Sequence, residues 1–203
     1  MPQAGPLDRL FLGKYLVEQE HKEPHTCGNY QTEKEACDAF DDLFEVKLSR
    51  WFSVFKEVTG FYVVNPHGLG TPTCRIDRIL IPKPPLIKEG WQFGAIGVEC
   101  KHSNIKASKP LSQCIDYRGA AFRVGEAGMT IMLEQVFLWP FLPPTGAIQS
   151  LIAQRRVGGL SERFGRTVFS LFQQEVLVFD KECNLSKIQP ATLRNSGRKR
   201  GSR

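Results

Sequence analysis

The sequence predicts an α/β protein in which helices flank a mixed central sheet. Two apolar runs of strand length, 74–81 and 91–101, lie between a helical pattern over 32–51 and a second helical pattern that starts at Pro110. The chain has 203 residues and 41% hydrophobic content, which suits one domain with a full core. We therefore expect a single domain over residues 32–190.

Residues 1–31 are predicted to form an N-terminal helix and a polar loop. Apolar residues recur at helix-like spacing over 7–17, and the polar stretch that follows contains His21, His25 and Cys27. These three residues are of metal-binding types, but no fourth ligand follows at a spacing typical of zinc sites. A solvated loop is therefore the favoured interpretation.

The clearest helix pattern covers residues 32–51. Thr32 is a capping residue, and Glu35 stands three positions later, as in a capping box. Apolar residues then repeat at helical spacing, namely Ala36, Phe40, Phe44, Leu48 and Trp51. The acids between them are predicted to form mostly a solvated face.

Strand patterns follow this helix. Residues 52–58 and 61–64 are predicted to form two strands separated by a glycine-containing break, and 65–70 is predicted to be a turn or loop. The next run, 74–81, is rich in Ile and Leu and carries a single acid, Asp77.

The central strand is predicted over 91–101, an apolar run that ends in an acid, a small residue and a base. Because strand side chains alternate, Glu99 and Lys101 fall on one face, while Val98 and Cys100 point to the other. Charges in a buried strand cost several kcal/mol unless they are compensated. A metal site with a lysine beside it would provide that compensation.

Two further features favour this interpretation. Of three Glu-x-Lys patterns in the chain, only the one at Glu99 ends an apolar strand. Glu99 also follows Asp77 by 22 residues, which is enough for two adjacent antiparallel strands joined by the loop 82–92. We therefore expect the two acids to lie close together.

Asp77 followed by Glu99 and Lys101 resembles the motif of the PD-(D/E)xK nuclease superfamily, the fold of restriction endonucleases. Ile76 stands where the family motif has proline, and the resemblance covers roughly residues 32–138. It implies a restriction-endonuclease-like core within the α/β class. It also implies an Mg²⁺-dependent deoxyribonuclease that hydrolyses phosphodiester bonds as an endonuclease or an exonuclease.

The resemblance assigns roles to these residues. Asp77 and Glu99 would bind Mg²⁺ or Mn²⁺ together with the main-chain carbonyl of Cys100, because hard ions prefer oxygen ligands. Lys101 would orient the attacking water or stabilise the pentacovalent phosphorane. The two carboxylates should repel each other until a cation arrives, and their protons should titrate as a coupled set.

A helix is predicted from Pro110 through Phe122, up to a break at 125–128. Gln113 and Tyr117 are one turn apart on it and therefore share a face. This pair is similar to the Gln-xxx-Tyr motif of the lambda exonuclease and RecB-type branch, which implies a shared substrate contact with Gln113 in a catalytic role. Two polar residues on a helix surface are the alternative.

Further candidates come from the helix and loop before the motif. In the resembled family, the helix before the first core strand often gives one more acid to the metal site, and Asp41 and Glu45 are candidates here. His67, in the loop before Asp77, is a candidate for orienting water or phosphate. Solvation of the two acids and a plain turn histidine are the alternatives.

The C-terminal third begins with a predicted strand over 130–138 and a helical stretch over 147–153. A glycine-containing basic segment follows, and a pair of strands within 167–179 closes the domain. Residues 191–203 are predicted to be a disordered basic tail. The residues predicted to bind nucleic acid are Arg155, Arg156, Arg163, Arg166, Arg198, Lys199 and Arg200.

The charge distribution supports a polyanionic partner, DNA or RNA. The net charge is +6, yet residues 1–48 hold five basic and ten acidic residues, while 194–203 hold five basic residues and no acid. An acidic N-terminal part and a basic C-terminal end suggest that the polyanion approaches the protein from one side. A catalytically inactive nucleic-acid-binding or assembly protein on the same fold is the alternative function. A structural ion-pair cluster in an unrelated α/β protein is a third interpretation.

Composition also bears on compartment. No apolar run approaches the length of about 18 residues that a membrane span needs, and the first residues lack a basic region followed by an apolar one. The six cysteines form no CxxC pair, so reduced core thiols explain them. We expect a cytoplasmic protein that has no membrane partner, and a homodimer stays open.

Overall fold

The computed structural model of the protein describes residues 29–63, 73–102, 105, 108–141, 156–171 and 174–188. Over these residues the chain is a mixed α/β protein with one large mixed sheet and few helices. Several predicted features lie outside the described residues, namely the N-terminal helix and most of its loop, the helix at 147–153 and the basic tail.

The helices are α1 (Glu33–Leu43), which continues as a π-helical turn over Phe44–Leu48, α2 (Pro84–Lys88) and α3 (Ser108–Tyr117). The strands are β1 (Phe52–Tyr62), β2 (Thr73–Pro82), β3 (Ile96–Cys100), β4 (Ala120–Val124), β5 (Met129–Met132), β6 (Gln135–Trp139), β7 (Val157–Arg163), β8 (Arg166–Leu171), β9 (Gln174–Phe179) and β10 (Leu185–Ile188).

The ten strands form one sheet in the order β10-β9-β8-β7-β6-β3-β2-β1-β4-β5. Strand β3 pairs in parallel with β6, and β6 pairs in parallel with β7, whereas the other neighbours are antiparallel. All five residues of β3 are buried, as expected for a strand in the middle of a sheet covered on both faces.

Helix α1 begins where the capping pattern predicts. The Glu35 backbone N–H donates to Thr32 Oγ1 at 3.1 Å, and the Gln31 backbone N–H donates to the Glu35 carboxylate at 2.8 Å. The whole predicted apolar stripe of this helix is buried, which confirms the pattern: Ala36, Phe40, Phe44, Leu48 and Trp51.

Two hydrophobic clusters cover the two faces of the sheet. Residues of α1 pack with Val98 and Cys100 of β3 in one cluster, and residues of α3 pack with Val136 and Leu138 of β6 in the other. The predicted alternation of β3 is therefore correct, because Val98 and Cys100 face the α1 layer. No helix in the described part of the chain is long and apolar enough to cross a membrane.

The prediction of two strands over 52–58 and 61–64 is wrong, because β1 is a single strand that includes Gly60. A Cβ on Gly60 would lie 2.6 Å from the Phe122 ring and 2.7 Å from the Ala121 carbonyl oxygen. The missing side chain therefore lets β4 approach β1, with Gly60 opposite Phe122. The glycine marks a close strand contact and not a break.

The predicted helix that starts at Pro110 ends earlier than expected. It stops at Tyr117, and residues 120–124 form β4 between β1 and β5. The predicted strand over 130–138 is also two strands, since β5 pairs with β4 while β6 pairs with β3. Pairing with other strands determines whether these residues form a helix or a strand and where each strand ends, so the spacing of apolar residues along the chain could not reveal it.

The central strand is shorter than predicted, because residues 91–95 precede β3 as a non-strand segment. Trp91 is nevertheless buried and packs edge-on against Phe52, with ring centroids 6.5 Å apart. The predicted loop over 82–92 contains the short helix α2. The predicted closing strand pair is confirmed as β8 and β9, and two further strands, β7 and β10, flank it in the sheet.

Candidate metal centre

The antiparallel pairing of β2 and β3 brings Asp77 and Glu99 together. Arg78 lies opposite Val98 in this pair, so Asp77 and Glu99 lie opposite each other one position further along the same register. The Cys100 backbone N–H donates to Asp77 Oδ2 at 2.7 Å, which holds the Asp77 carboxylate at the end of β3. The predicted adjacency of the two strands is confirmed.

The charged residues at this end of β3 are buried. Asp77 is 7% exposed, Glu99 is 2% exposed and Lys101 is 7% exposed. Lys101 Nζ lies 2.9 Å from Glu99 Oε1, so these two charges compensate each other on the face where the strand alternation predicts them. Glu99 Oε2 is buried and has no hydrogen-bond partner among the described residues.

A third acid, Glu33 at the start of α1, completes the cluster. One oxygen each from Glu33, Asp77 and Glu99 lies within 4.8 Å of the others, and these three residues are called the carboxylate group below. Glu33 also pairs with Lys101, at 2.9 Å, and its side chain is 48% exposed. The group therefore reaches the surface through Glu33.

Sequence patterns alone did not indicate that Glu33 belongs to the site. It directly follows the cap Thr32, and an acid in the first turn of a helix is common because it interacts favourably with the helix dipole. The predicted candidates from this helix lie elsewhere: Asp41 binds Arg78 at 2.7 Å and Lys56 at 2.7 Å, and Glu45 is exposed.

Asp41 links helix α1 to strands β1 and β2 through its bonds with Lys56 and Arg78. Burial raises the pKa of Asp41, but Arg78 and Lys56 outweigh that effect and lower the pKa overall. Arg78 also donates to the backbone carbonyl oxygen of Asp77 at 2.7 Å. Asp41 is therefore linked to Asp77 only through Arg78, and the acid of this helix that lies beside Asp77 and Glu99 is Glu33.

Burial makes Asp77 and Glu99 hard to ionise. Burial and the nearby charge of Asp77 raise the pKa of Glu99 to about 7, and burial also raises the pKa of Asp77. Burial alone would lower the pKa of Lys101, but Glu99 and Glu33 outweigh it and raise the pKa overall. The lysine is therefore a permanent cation beside acids that resist deprotonation until another positive charge arrives.

Gln113 and Tyr117 share a face of α3, as predicted. Gln113 Nε2 donates to the Tyr117 hydroxyl at 2.5 Å, and that hydroxyl donates to the Arg75 carbonyl oxygen at 2.5 Å. Tyr117 is only 1% exposed, and burial, together with the charge of Glu99, raises its pKa. Its hydroxyl links α3 to β2, whereas Gln113 is partly exposed.

Two cysteines lie on the α1 side of the same strand end. The sulfur atoms of Cys37 and Cys100 and an Asp77 oxygen lie within 4.8 Å of one another. Interaction between the two thiols lowers the pKa of Cys37 and, with burial, raises the pKa of Cys100. Asp77 therefore belongs both to the carboxylate group and to this second set of three residues, which is called the sulfur cluster below.

The predicted basic surface is described in part. Arg163 and Arg166 flank the turn between β7 and β8, whose Phe164 is 99% exposed. Arg166 lies 3.5 Å from Glu175, whereas Arg156 is bound to Glu134 at 2.7 Å. The other predicted contacts lie outside the described residues, namely His67, Arg155, Arg198, Lys199 and Arg200.

The fold and this site together define a mixed α/β protein in which two central strands and helix α1 bring three acids and one lysine together at one end of β3. No protein-family model matches the chain, and neither a curated protein nor a solved structure matches it. The function is therefore inferred from the geometry of the site.

Proposed function

We propose that the protein is a divalent-metal-dependent nuclease of the PD-(D/E)xK type, which hydrolyses DNA phosphodiester bonds on a restriction-endonuclease-like core. The observation that carries this proposal is the convergence of Glu33, Asp77 and Glu99 within 4.8 Å, with Lys101 2.9 Å from Glu99. The acids come from a helix and two strands, so the fold brings together groups that are distant in sequence.

The charge balance of the cluster favours a bound cation. Three carboxylates face a single ammonium group, and the buried Glu99 Oε2 lacks a hydrogen-bond partner among the described residues. A site made only of oxygen ligands suits Mg²⁺ or Mn²⁺, and the Cys100 carbonyl is proposed as a further ligand. Such an ion would supply charge neutralisation at the phosphate and activation of water.

The protein groups around the ion would have separate tasks. Lys101 keeps its proton, because two acids raise its pKa, so it would act as a hydrogen-bond donor that orients water or stabilises the phosphorane and not as a base. Glu33 is half-exposed and would meet the substrate side of the site. Gln113 would contact the substrate from α3.

The proposed substrate is DNA, with RNA as a second polyanion of the same chemistry. Arg163 and Arg166 are exposed on the turn between β7 and β8 and would contact phosphates, as would the basic tail. Phosphate contacts position a nucleic acid without reading its sequence. A homodimer stays a prediction.

A structural ion-pair cluster would also explain the buried charges, but it accounts for them less well. Lys101 compensates one negative charge, and two acids of the carboxylate group then still repel each other in the absence of a cation. An inactive binding protein likewise gains nothing from acids that face phosphate. The ion-pair cluster and the inactive binding protein both predict that the protein does not cleave DNA with any divalent ion.

The test is to incubate purified protein with labelled linear, circular and branched DNA in Mg²⁺, Mn²⁺ or EDTA. We expect cleavage of at least one substrate with either ion and none in EDTA. If salt-sensitive DNA binding occurs without cleavage under any of these conditions, the protein is a binding module. Loss of both binding and cleavage would favour the structural ion-pair cluster.

A further inference from the structure

Helix α1 presents two different potential ligands to the end of β3. Glu33 and Cys37 are four residues apart and therefore lie on one face of the helix. Glu33 meets Asp77 and Glu99, whereas Cys37 meets Asp77 and Cys100. Asp77 is therefore shared by the carboxylate group, which offers only oxygen ligands, and the sulfur cluster.

The sulfur cluster has the composition and compactness of a soft-metal site. Cys100 is fully buried, Cys37 is half-buried, and their sulfur atoms lie within 4.8 Å of each other. Two sulfurs on a tetrahedral zinc ion lie about 3.8 Å apart, given Zn–S bonds of about 2.3 Å. Because the ligand atoms already lie within 4.8 Å of one another, a shift of about 1 Å or less would close the site.

We propose that Cys37, Cys100 and Asp77 form a binding site for a soft divalent ion of the zinc class. Thiolates select such ions over Mg²⁺, whose preference is for oxygen. Binding would release the two thiol protons to solvent and leave a fourth position on the ion for water.

Such an ion would remove Asp77 from the carboxylate group. Asp77 Oδ2 already accepts the Cys100 N–H bond, which leaves its other oxygen as the less encumbered ligand, and two divalent ions held against one carboxylate would also repel each other. A thiolate-bound ion would therefore exclude the hard ion and inhibit cleavage. This inhibitory consequence rests on the proposed nuclease function, whereas the metal site itself does not.

Binding is tested by titrating Cd²⁺ into the full-length protein in a reductant without thiols and measuring sulfur-to-metal charge-transfer absorption in the ultraviolet. We expect the absorption to saturate at one ion per chain and to be lost in Cys37→Ser. Cys100→Ala is a second variant, which keeps the buried position small and apolar. Matched controls that should retain the signal are Cys27→Ser, Cys74→Ser and Cys183→Ser.

The role of Asp77 is tested in the same titration. Asp77→Asn should weaken Cd²⁺ binding at least about tenfold, because removal of a group that only supports a ligand already costs about 10–100-fold, while Glu99→Gln should bind Cd²⁺ at least as tightly as the wild type. Absence of the charge-transfer signal, or a signal that survives in Cys37→Ser, would overturn the proposed site. Equal affinity in Asp77→Asn would overturn the sharing of Asp77.

A separate assay tests inhibition. Micromolar Zn²⁺ should inhibit Mg²⁺-dependent cleavage by the wild type, and Cys37→Ser should keep its activity at the same Zn²⁺ concentration. Equal inhibition of both proteins would overturn the inhibitory role. If neither the wild type nor Cys37→Ser cleaves DNA, but the Cd²⁺ absorption saturates in the wild type and is lost in Cys37→Ser, the nuclease proposal fails and the sulfur cluster is still supported as a metal site.

Discussion

Glu99 is the most buried acid of the carboxylate group, so replacing it with glutamine should stabilise the metal-free protein at high pH. Its pKa is about 7 in the folded protein, compared with 4.5 for the free side chain. The folded state therefore retains a proton that the unfolded chain releases between these two values. The native state loses stability as the pH rises from about 4.5 through about 7.

The size of this effect follows from the two pKa values. Their difference of about 2.5 corresponds to about 3 kcal/mol at pH 8, because a tenfold change in proton affinity is worth about 1.4 kcal/mol. A neutral glutamine avoids this loss, so Glu99→Gln should be more stable than the wild type by up to about 3 kcal/mol at pH 8. At pH 5 the advantage should shrink to about 1 kcal/mol, because folded Glu99 is then mostly protonated.

Thermal melts in EDTA at pH 5 and pH 8 measure the difference. For a chain of this length, about 3 kcal/mol corresponds to a rise in Tm of about 6–12 °C. Glu45→Gln is the matched control, because Glu45 is exposed, and its Tm should match the wild type at both pH values. Addition of Mg²⁺ should stabilise the wild type more than Glu99→Gln.

Two results would refute this reasoning. A Glu99→Gln protein that melts below the wild type at pH 8 would show that the Lys101 ion pair contributes more stability than burial of the charge removes. A difference that is the same at pH 5 and pH 8 would show that Glu99 does not titrate in this range. The first result would support a structural ion-pair cluster.

Four further outcomes are expected. Glu33→Gln should raise the Mg²⁺ concentration needed for half-maximal cleavage. Asp42→Asn is the control, because Asp42 is on the same helix but outside the carboxylate group, and it should leave that concentration unchanged. If Glu33→Gln needs the same Mg²⁺ concentration as the wild type, Glu33 is not part of the site. Tyr117→Phe should lower the free energy of unfolding in urea by about 1–2 kcal/mol, because the Arg75 carbonyl loses its donor, with no change in the cleavage rate of the folded protein. A stable variant with slow cleavage would instead place the hydroxyl on the substrate. Deletion of residues 194–203 should weaken DNA binding on all sequences alike and flatten the slope of log K against log salt by about 0.7–0.9 for each phosphate that the tail neutralises. Charge reversal at Arg163 and Arg166 should slow cleavage even at saturating DNA, and if the deletion and the reversals are both silent, the DNA path lies elsewhere.

The centre of the fold could be predicted from local patterns. Alternation placed Glu99 and Lys101 on one face, and the length of the connection made Asp77 their neighbour on an antiparallel strand; both features are present. The cap at Thr32 and the apolar stripe after it likewise defined the start and the buried face of α1. These features depend on neighbouring residues and on a single strand pairing.

Features set by distant contacts could not be predicted. Residues 120–124 fit a helix or a strand by spacing alone, and their pairing with β1, which Gly60 makes possible, decides for the strand. Glu33 resembles an ordinary first-turn acid until the packing of α1 brings it to Lys101. Asp41 had the same local appearance but lies next to Arg78 instead.

The most direct test of the carboxylate group is single-turnover cleavage in Mg²⁺ at saturating DNA by Asp77→Asn, Glu99→Gln and Lys101→Ala, with Asp42→Asn as the control. If the group acts in the transition state, each of the three variants should fall to the background rate while binding DNA with nearly the affinity of the wild type, and the control should cleave normally. Near-normal cleavage by any of the three would contradict the assignment of the active site.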